Sequence, residues 1–133
     1  MTAAETNAAR VREGFEAYAS RDMAMLADLF TDDVIWHNHG RNPLTGDFAG
    51  KNAVSGMMAR TLEMTGGTGS YDVHDVVAND VHAVALLRAR TSRPPLGRTL
   101  DVREVHVYHM QEGKISEAWV FSEDQRVNDE FWS

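Results

Sequence analysis

The chain has no cysteine, which excludes disulfides, thiolate nucleophiles and Cys-based zinc sites. Proline is scarce, at three residues in 133, and no apolar run approaches the ~20 residues that a membrane-spanning helix needs. Basic residues are also few. Thirteen Lys and Arg against 20 Asp and Glu leave a net charge of -7, which argues against nucleic acid or an anionic membrane as partner, since phosphates select a basic surface. The first seven residues carry neither a basic nor an apolar segment of the secretory kind, so the expected location is cytoplasmic. What remains is ordinary for a globular protein: 43% hydrophobic and 25% charged. That is enough chain for a core without covalent staples. No internal repeat, linker or low-complexity stretch interrupts it, and residues 1–133 are expected to form one domain.

Hydrophobic spacing divides the chain in two. Val11, Phe15 and Tyr18 recur at helical spacing over residues 4–19, and Leu26, Leu29 and Phe30 mark a second helix that the spacing ends at Thr31-Asp32-Asp33. Ser20 or Asp22 supplies its cap. A first strand is expected over Val34–His39, then a loop over Gly40–Gly50, then a third helix over Lys51–Met64 with Val54, Met57, Met58 and Leu62 buried. Beyond residue 70 the period becomes that of strands: 71–78 and 81–91 joined by an Asn79-Asp80 hairpin turn, then 99–110 and 114–121 about Gln111-Glu112-Gly113. Helices first and a meander afterwards predict an α+β protein. Its three N-terminal helices would pack on a curved, mostly antiparallel sheet as a cone-shaped roll.

Alternation along strands sorts the polar candidates. Trp36 and Asn38 share one face of the first strand, His37 and His39 the other. On the long strand Glu104, His106, Tyr108 and Met110 share a face, opposite Asp101, Arg103, Val105, Val107 and His109. The row Glu104-His106-Tyr108 is the better cavity lining. A histidine beside a glutamate suits proton transfer near neutral pH; the same row serves equally well as a structural hydrogen-bond network. His37 and His39, with His106 or His109, are the only residues whose spacing suggests a metal. No His-Glu-x-x-His pattern supports them, and neither metal nor cofactor is expected. Five arginines, Arg88, Arg90, Arg93, Arg98 and Arg103, cluster in an otherwise acidic chain and read as solubilising hairpin ends.

Tyr18, Asp22, the run Leu29-Phe30-Thr31-Asp32-Asp33-Val34-Ile35-Trp36, and later Gly113-Lys114-Ile115 with Glu117-Ala118-Trp119 resemble the SnoaL-like branch of the nuclear transport factor 2-like superfamily, which includes ketosteroid isomerase. The resemblance covers nearly the whole chain. It implies a cone around an apolar pocket, commonly in a homodimer through the outer sheet face, and says little about the reaction. The isomerase pattern carries over poorly. Its general-base aspartate corresponds to Asn38, its oxyanion tyrosine to Gly14 with Tyr18 one turn on, and its second acid to His106. Polyketide cyclases of the group carry Glu-His-Trp-Asp where this chain reads Glu117-Ala118-Trp119-Val120, so that acid is also missing.

Two functions follow as expectations. One is cofactor-independent proton transfer of the isomerase, cyclase or dehydratase kind on a small, largely apolar molecule. His106 would be the acid/base, Tyr18 an oxyanion donor and Asn38 an orienting group, with Trp36, Glu104, Tyr108, Phe15 and Met58 around the substrate. The other is a pocket protein or dimeric accessory subunit that performs no chemistry.

Overall fold

The computed structural model describes all residues, 1–133. Helix α1 (Ala3–Ser20) opens on a capping box: the Glu5 N–H donates to Thr2 Oγ1 and the Glu5 carboxylate accepts from the Thr2 N–H. It stops at Arg21, whose left-handed backbone (φ 61°) turns the chain. Asp22 caps α2 (Met23–Asp28) by accepting from the Met25 N–H. The second helix is shorter than its apolar spacing predicts. Phe30 already belongs to strand β1 (Phe30–Asn38), and Thr31-Asp32-Asp33 lie within the strand rather than in a turn. The reason lies in the partner. Phe30 pairs with Ile115, and the register then shifts before Ile35 pairs with Glu117. That bulge absorbs the exposed acidic pair while Phe30 before it and Val34 and Trp36 after it stay buried.

The segment read as loop contains a short edge strand, β2 (Gly46–Ala49), antiparallel to β1. Helix α3 (Lys51–Thr65) buries Val54, Met57 and Met58 and ends at Gly66 in the left-handed region (φ 60°). Strands β3 (Ser70–Ala78), β4 (His82–Arg93), β5 (Arg98–Gln111) and β6 (Lys114–Ser122) form the meander. The first hairpin turn sits one residue later than expected. The Asn79 N–H donates to the His82 carbonyl, and Asn79 Oδ1 accepts from the Val81 and His82 N–H groups, so Asp80-Val81 is the loop. The six strands run β2-β1-β6-β5-β4-β3, with β1 parallel to β6 and every other pair antiparallel. After β6 comes a fourth helix beyond the three expected, α4 (Gln125–Trp132), capped by Asp124 accepting from the Val127 N–H.

The helices cover one face of this curved, mostly antiparallel sheet, giving the expected α+β architecture with one helix more. Eighteen buried residues form the main core, among them Val11, Phe30, Val34, Val54, Ala85 and Ala118. Each large apolar side chain so buried contributes roughly 1.5–3 kcal/mol of transfer free energy. A second cluster of Ala89, Leu100, Val102 and Phe131 seats α4 on the sheet. The face assignment by alternation holds: Glu104, His106, Tyr108 and Met110 are all buried, while Asp101 and Arg103 are exposed. No helix is long and apolar enough to cross a membrane.

Candidate active site and ligand cavity

Between α1, α3, α4 and the inner sheet face lies a cavity of about 130 Å³, mostly apolar in its lining. Every side chain expected around a ligand lines it: Phe15, Tyr18, Trp36, Asn38, Met58 and the β5 row Glu104, His106 and Tyr108. No lysine or arginine does.

The β5 row is a continuous hydrogen-bonded chain. His106 Nε2 lies 2.9 Å from Glu104 Oε1, and His106 Nδ1 lies 3.0 Å from the Tyr108 hydroxyl. Its proton positions follow from the far end. The Asp124 N–H donates to Ser122 Oγ, so the Ser122 hydroxyl donates to Asn128 Oδ1 (2.5 Å). This fixes the Asn128 amide, whose Nδ2 donates to Glu104 Oε2 (3.4 Å). Glu104 therefore receives a donor on each oxygen, the arrangement of a carboxylate, and His106 gives it the Nε2 proton. Nδ1 is left to accept from Tyr108. Burial drives the Tyr108 pKa far above its ordinary value, and the Glu104 charge adds to it, so the hydroxyl keeps its proton. Phe15, Trp36 and Tyr71 pack around the imidazole with ring centroids at 5.6, 6.3 and 6.1 Å. Ser122 and Asn128 come from the end of β6 and from α4. A capping Asp124 followed by Val127 and Phe131 at helical spacing was the signal for that helix, and no sequence expectation used it.

Tyr18 and Asn38 are more committed than expected. The Thr61 hydroxyl donates to the Met58 carbonyl (2.6 Å), so its 2.9 Å contact with Tyr18 has Tyr18 as donor. Burial raises the Tyr18 pKa, partly offset by Thr61 and the Arg21 charge. Asn38 accepts from Trp36 Nε1 (3.1 Å) and donates to the Leu44 carbonyl (3.0 Å). One of its amide hydrogens stays free. Val120, matched to the cyclase acid, lines the cavity as an apolar wall.

His37 lies away from the cavity, and His39 only borders it. On the outer face both nitrogens of His37 meet carboxylates, Asp47 at 2.6 Å and Glu117 at 2.7 Å, and its ring stacks on Trp119. His39 stacks on Phe121. No group of three or more His, Asp or Glu side chains is disposed to hold a metal ion. The arginine cluster divides. Arg88, Arg90 and Arg103 pair with Asp101, Asp72 and Glu123 on the surface, whereas Arg93 and Arg98 bind the carbonyls that end α4, at Phe131 and Ser133.

A helix-lined cavity on one face of a mixed sheet, with a buried ionisable row on its longest strand, defines an α+β pocket protein of the nuclear transport factor 2-like kind. Within that class the chain belongs to the SnoaL-like domain family, whose pattern matches residues 11–118. It is 32% identical over 124 residues to an uncharacterized protein of Mycobacterium tuberculosis, covering 92% of this chain and 93% of that one. Among solved structures it is similar to Bal32a from a soil-derived mobile gene cassette, at 32% identity and a TM-score of 0.94 over 99% of this chain and 100% of that one. A nuclear transport factor 2-like protein of unknown function from Burkholderia pseudomallei shares the fold at 20% identity, with a TM-score of 0.86 over 100% and 99% of the two chains.

Proposed function

We propose that this protein binds a small, largely apolar molecule in the cavity and moves a proton on it without a cofactor, as isomerases, cyclases and dehydratases do. The observation that carries the reading is the direction of the buried row: a Glu104 carboxylate holding the Nε2 proton of His106, with Nδ1 facing Tyr108. Proton uptake at Nδ1 would give an imidazolium already paired with Glu104, so the charge forms where a counter-charge waits. Tyr108 would relay it. Its oxygen takes the ligand's proton as its own passes to Nδ1, and the reverse step returns a proton to another ligand atom. The free N–H of Asn38 would orient the ligand, with Phe15, Trp36 and Met58 as walls.

A second reading, binding without turnover, rests on a separate observation. Glu104 is the one carboxylate in the cavity lining, and both ring nitrogens of His106 are engaged. The two part in an experiment. His106→Ala should weaken binding of a fluorescent hydrophobic probe and abolish any proton exchange catalysed on a bound ketone, while His109→Ala, one face away, should leave both intact. Retained exchange in His106→Ala would remove the catalytic reading. Equal effects of the two variants would remove the cavity assignment. The reading extends to one domain over 1–133 that pairs with a second copy through the outer sheet face.

A further inference from the structure

The tyrosine no sequence expectation singled out is the one whose proton is least committed. Three tyrosines line the cavity. Tyr18 donates to Thr61, and Tyr108 to His106. The Tyr71 hydroxyl faces the Tyr18 oxygen, which can accept from it because Tyr18 gives its own proton to Thr61, but it has no carbonyl, carboxylate or imidazole of the protein within hydrogen-bond reach. Its ring is fixed by edge contacts with Phe15 and His106, at 5.8 and 6.1 Å between centroids, and by Tyr18 at 5.3 Å. It stands where the main cavity meets a small extension of about 20 Å³, bounded also by Glu104, Thr65 and Trp132, enough for about one water or one ligand oxygen.

We propose that Tyr71 reads the ligand: its hydroxyl donates to an acceptor oxygen on a neutral, otherwise apolar molecule, placing that oxygen beside the His106-Tyr108 pair. This rests on the cavity being the ligand site. A donor whose one protein acceptor is a distant hydroxyl is poorly satisfied, so an incoming carbonyl or ether oxygen offers it a better partner. The electrostatics set the ligand's charge. With Glu104 ionised and no lysine or arginine lining the main cavity, a carboxylate or phosphate would enter against a buried negative charge; Arg90, which bounds the extension, is paired with Asp72 at the surface. Tyr71 sits on the inward parity of β3 with Val73. The register shift between Val73 and Asp75 then carries the inward positions on to Val76 and Ala78. This break in alternation separates Tyr71 from the rest of its strand's apolar pattern.

Matched probes test it: acetophenone, ethylbenzene and benzoate, titrated against the full chain by NMR with the His106 ring resonances as the marker of cavity binding. Tyr71→Phe should lower acetophenone affinity roughly five- to tenfold, the factor one net hydrogen bond converts to. Ethylbenzene should stay within about twofold, and benzoate should not bind either protein. Tyr18→Phe and Asn38→Ala are the rivals. Selective loss of acetophenone in either of them, with Tyr71→Phe neutral, would overturn the assignment while leaving the cavity as the binding site. Tight benzoate binding would overturn the charge argument. If no probe perturbs His106 at all, the cavity reading fails and takes this inference with it.

Discussion

His37 is the residue whose chemistry the outer face makes plainest. A neutral imidazole has one N–H, yet here two carboxylates lie within 2.7 Å of the two nitrogens, so the ring is held as imidazolium. Burial alone would lower its pKa; the hydrogen bonds to Glu117 and Asp47 outweigh that and leave it raised. The folded value then exceeds the unfolded one, near 6.5. The stabilisation is complete below that pH and is lost as the pH climbs through the folded value. Urea unfolding should therefore show a wider gap between wild type and His37→Gln at pH 5.5 than at pH 9; a constant gap would mean the ring is neutral throughout. Thr31 offers a different prediction. Its hydroxyl is buried in β1 with no partner, and Thr31→Val keeps the shape without the orphaned group. A gain of about 1 kcal/mol is expected by denaturant titration. At this scale the sequence was legible wherever alternation held, which is why Glu104, His106 and Tyr108 were found together. Tyr71 was not found, because how far a hydroxyl's proton is committed depends on where its neighbours' protons go. Only the Thr61 and Met58 geometry reveals that for Tyr18.

Among the elements, α4 does the most that its length would not suggest. Eight residues supply Asn128 to Glu104 and Phe131 to the second core cluster, while Asp129 ties the helix to the loop before β2. Its Oδ1 accepts from the Arg41 N–H, Asn42 Nδ2 and Gln125 Nε2 at 2.8–3.0 Å. Gly40 is part of this clasp: its φ is +94°, and a Cβ there would collide with Asp129 and Gln125. Gly40→Ala should cost more than about 1 kcal/mol and speed amide exchange in both the loop and α4. Exchange unchanged in α4 would mean the two are not mechanically joined. Asn128→Ala should cost roughly 1–3 kcal/mol by leaving Glu104 short of a donor, and should move the His106 ring resonances seen by NMR, the sign that the two are joined through Glu104. The helices and long strands were legible because their periods repeat over several turns or pleats. The four-residue β2 was not: Gly46 and Ala49 give no pattern, and only pairing with β1 makes the segment a strand.

For the whole molecule, the outer sheet face sets the prediction. Val84, Val107 and Trp119 lie in one cross-strand row, and Phe121 and Val77 nearby are 46% and 51% exposed. An apolar patch of this kind favours association. Sedimentation at micromolar concentration should give twice 14.8 kDa, and Phe121→Lys should shift the mass toward the monomer. A wild-type monomer would end the proposal. The architecture was legible through resemblance more than through physics. Helix-then-meander order gives α+β, but nothing local announces that β1 will lie parallel to β6 rather than beside β3.

That parallel pairing has a consequence in time. Phe30 meets Ile115 and Asn38 meets Val120, partners more than eighty positions apart. A chain emerging from the ribosome at roughly 5–20 residues per second thus holds β1 for several seconds before its inner neighbour exists. Through that interval Trp36 and Val34 have only helices and the β2 edge to cover them, which leaves a strand open to the wrong partner. The clasp on α4 and the Asn128 hydrogen bond to Glu104 form later still, from the last ten residues. Ligand binding should therefore appear only with the final phase of refolding, after the β3-β4-β5 hairpins have formed, and a probe of the cavity would time the end of folding rather than its beginning.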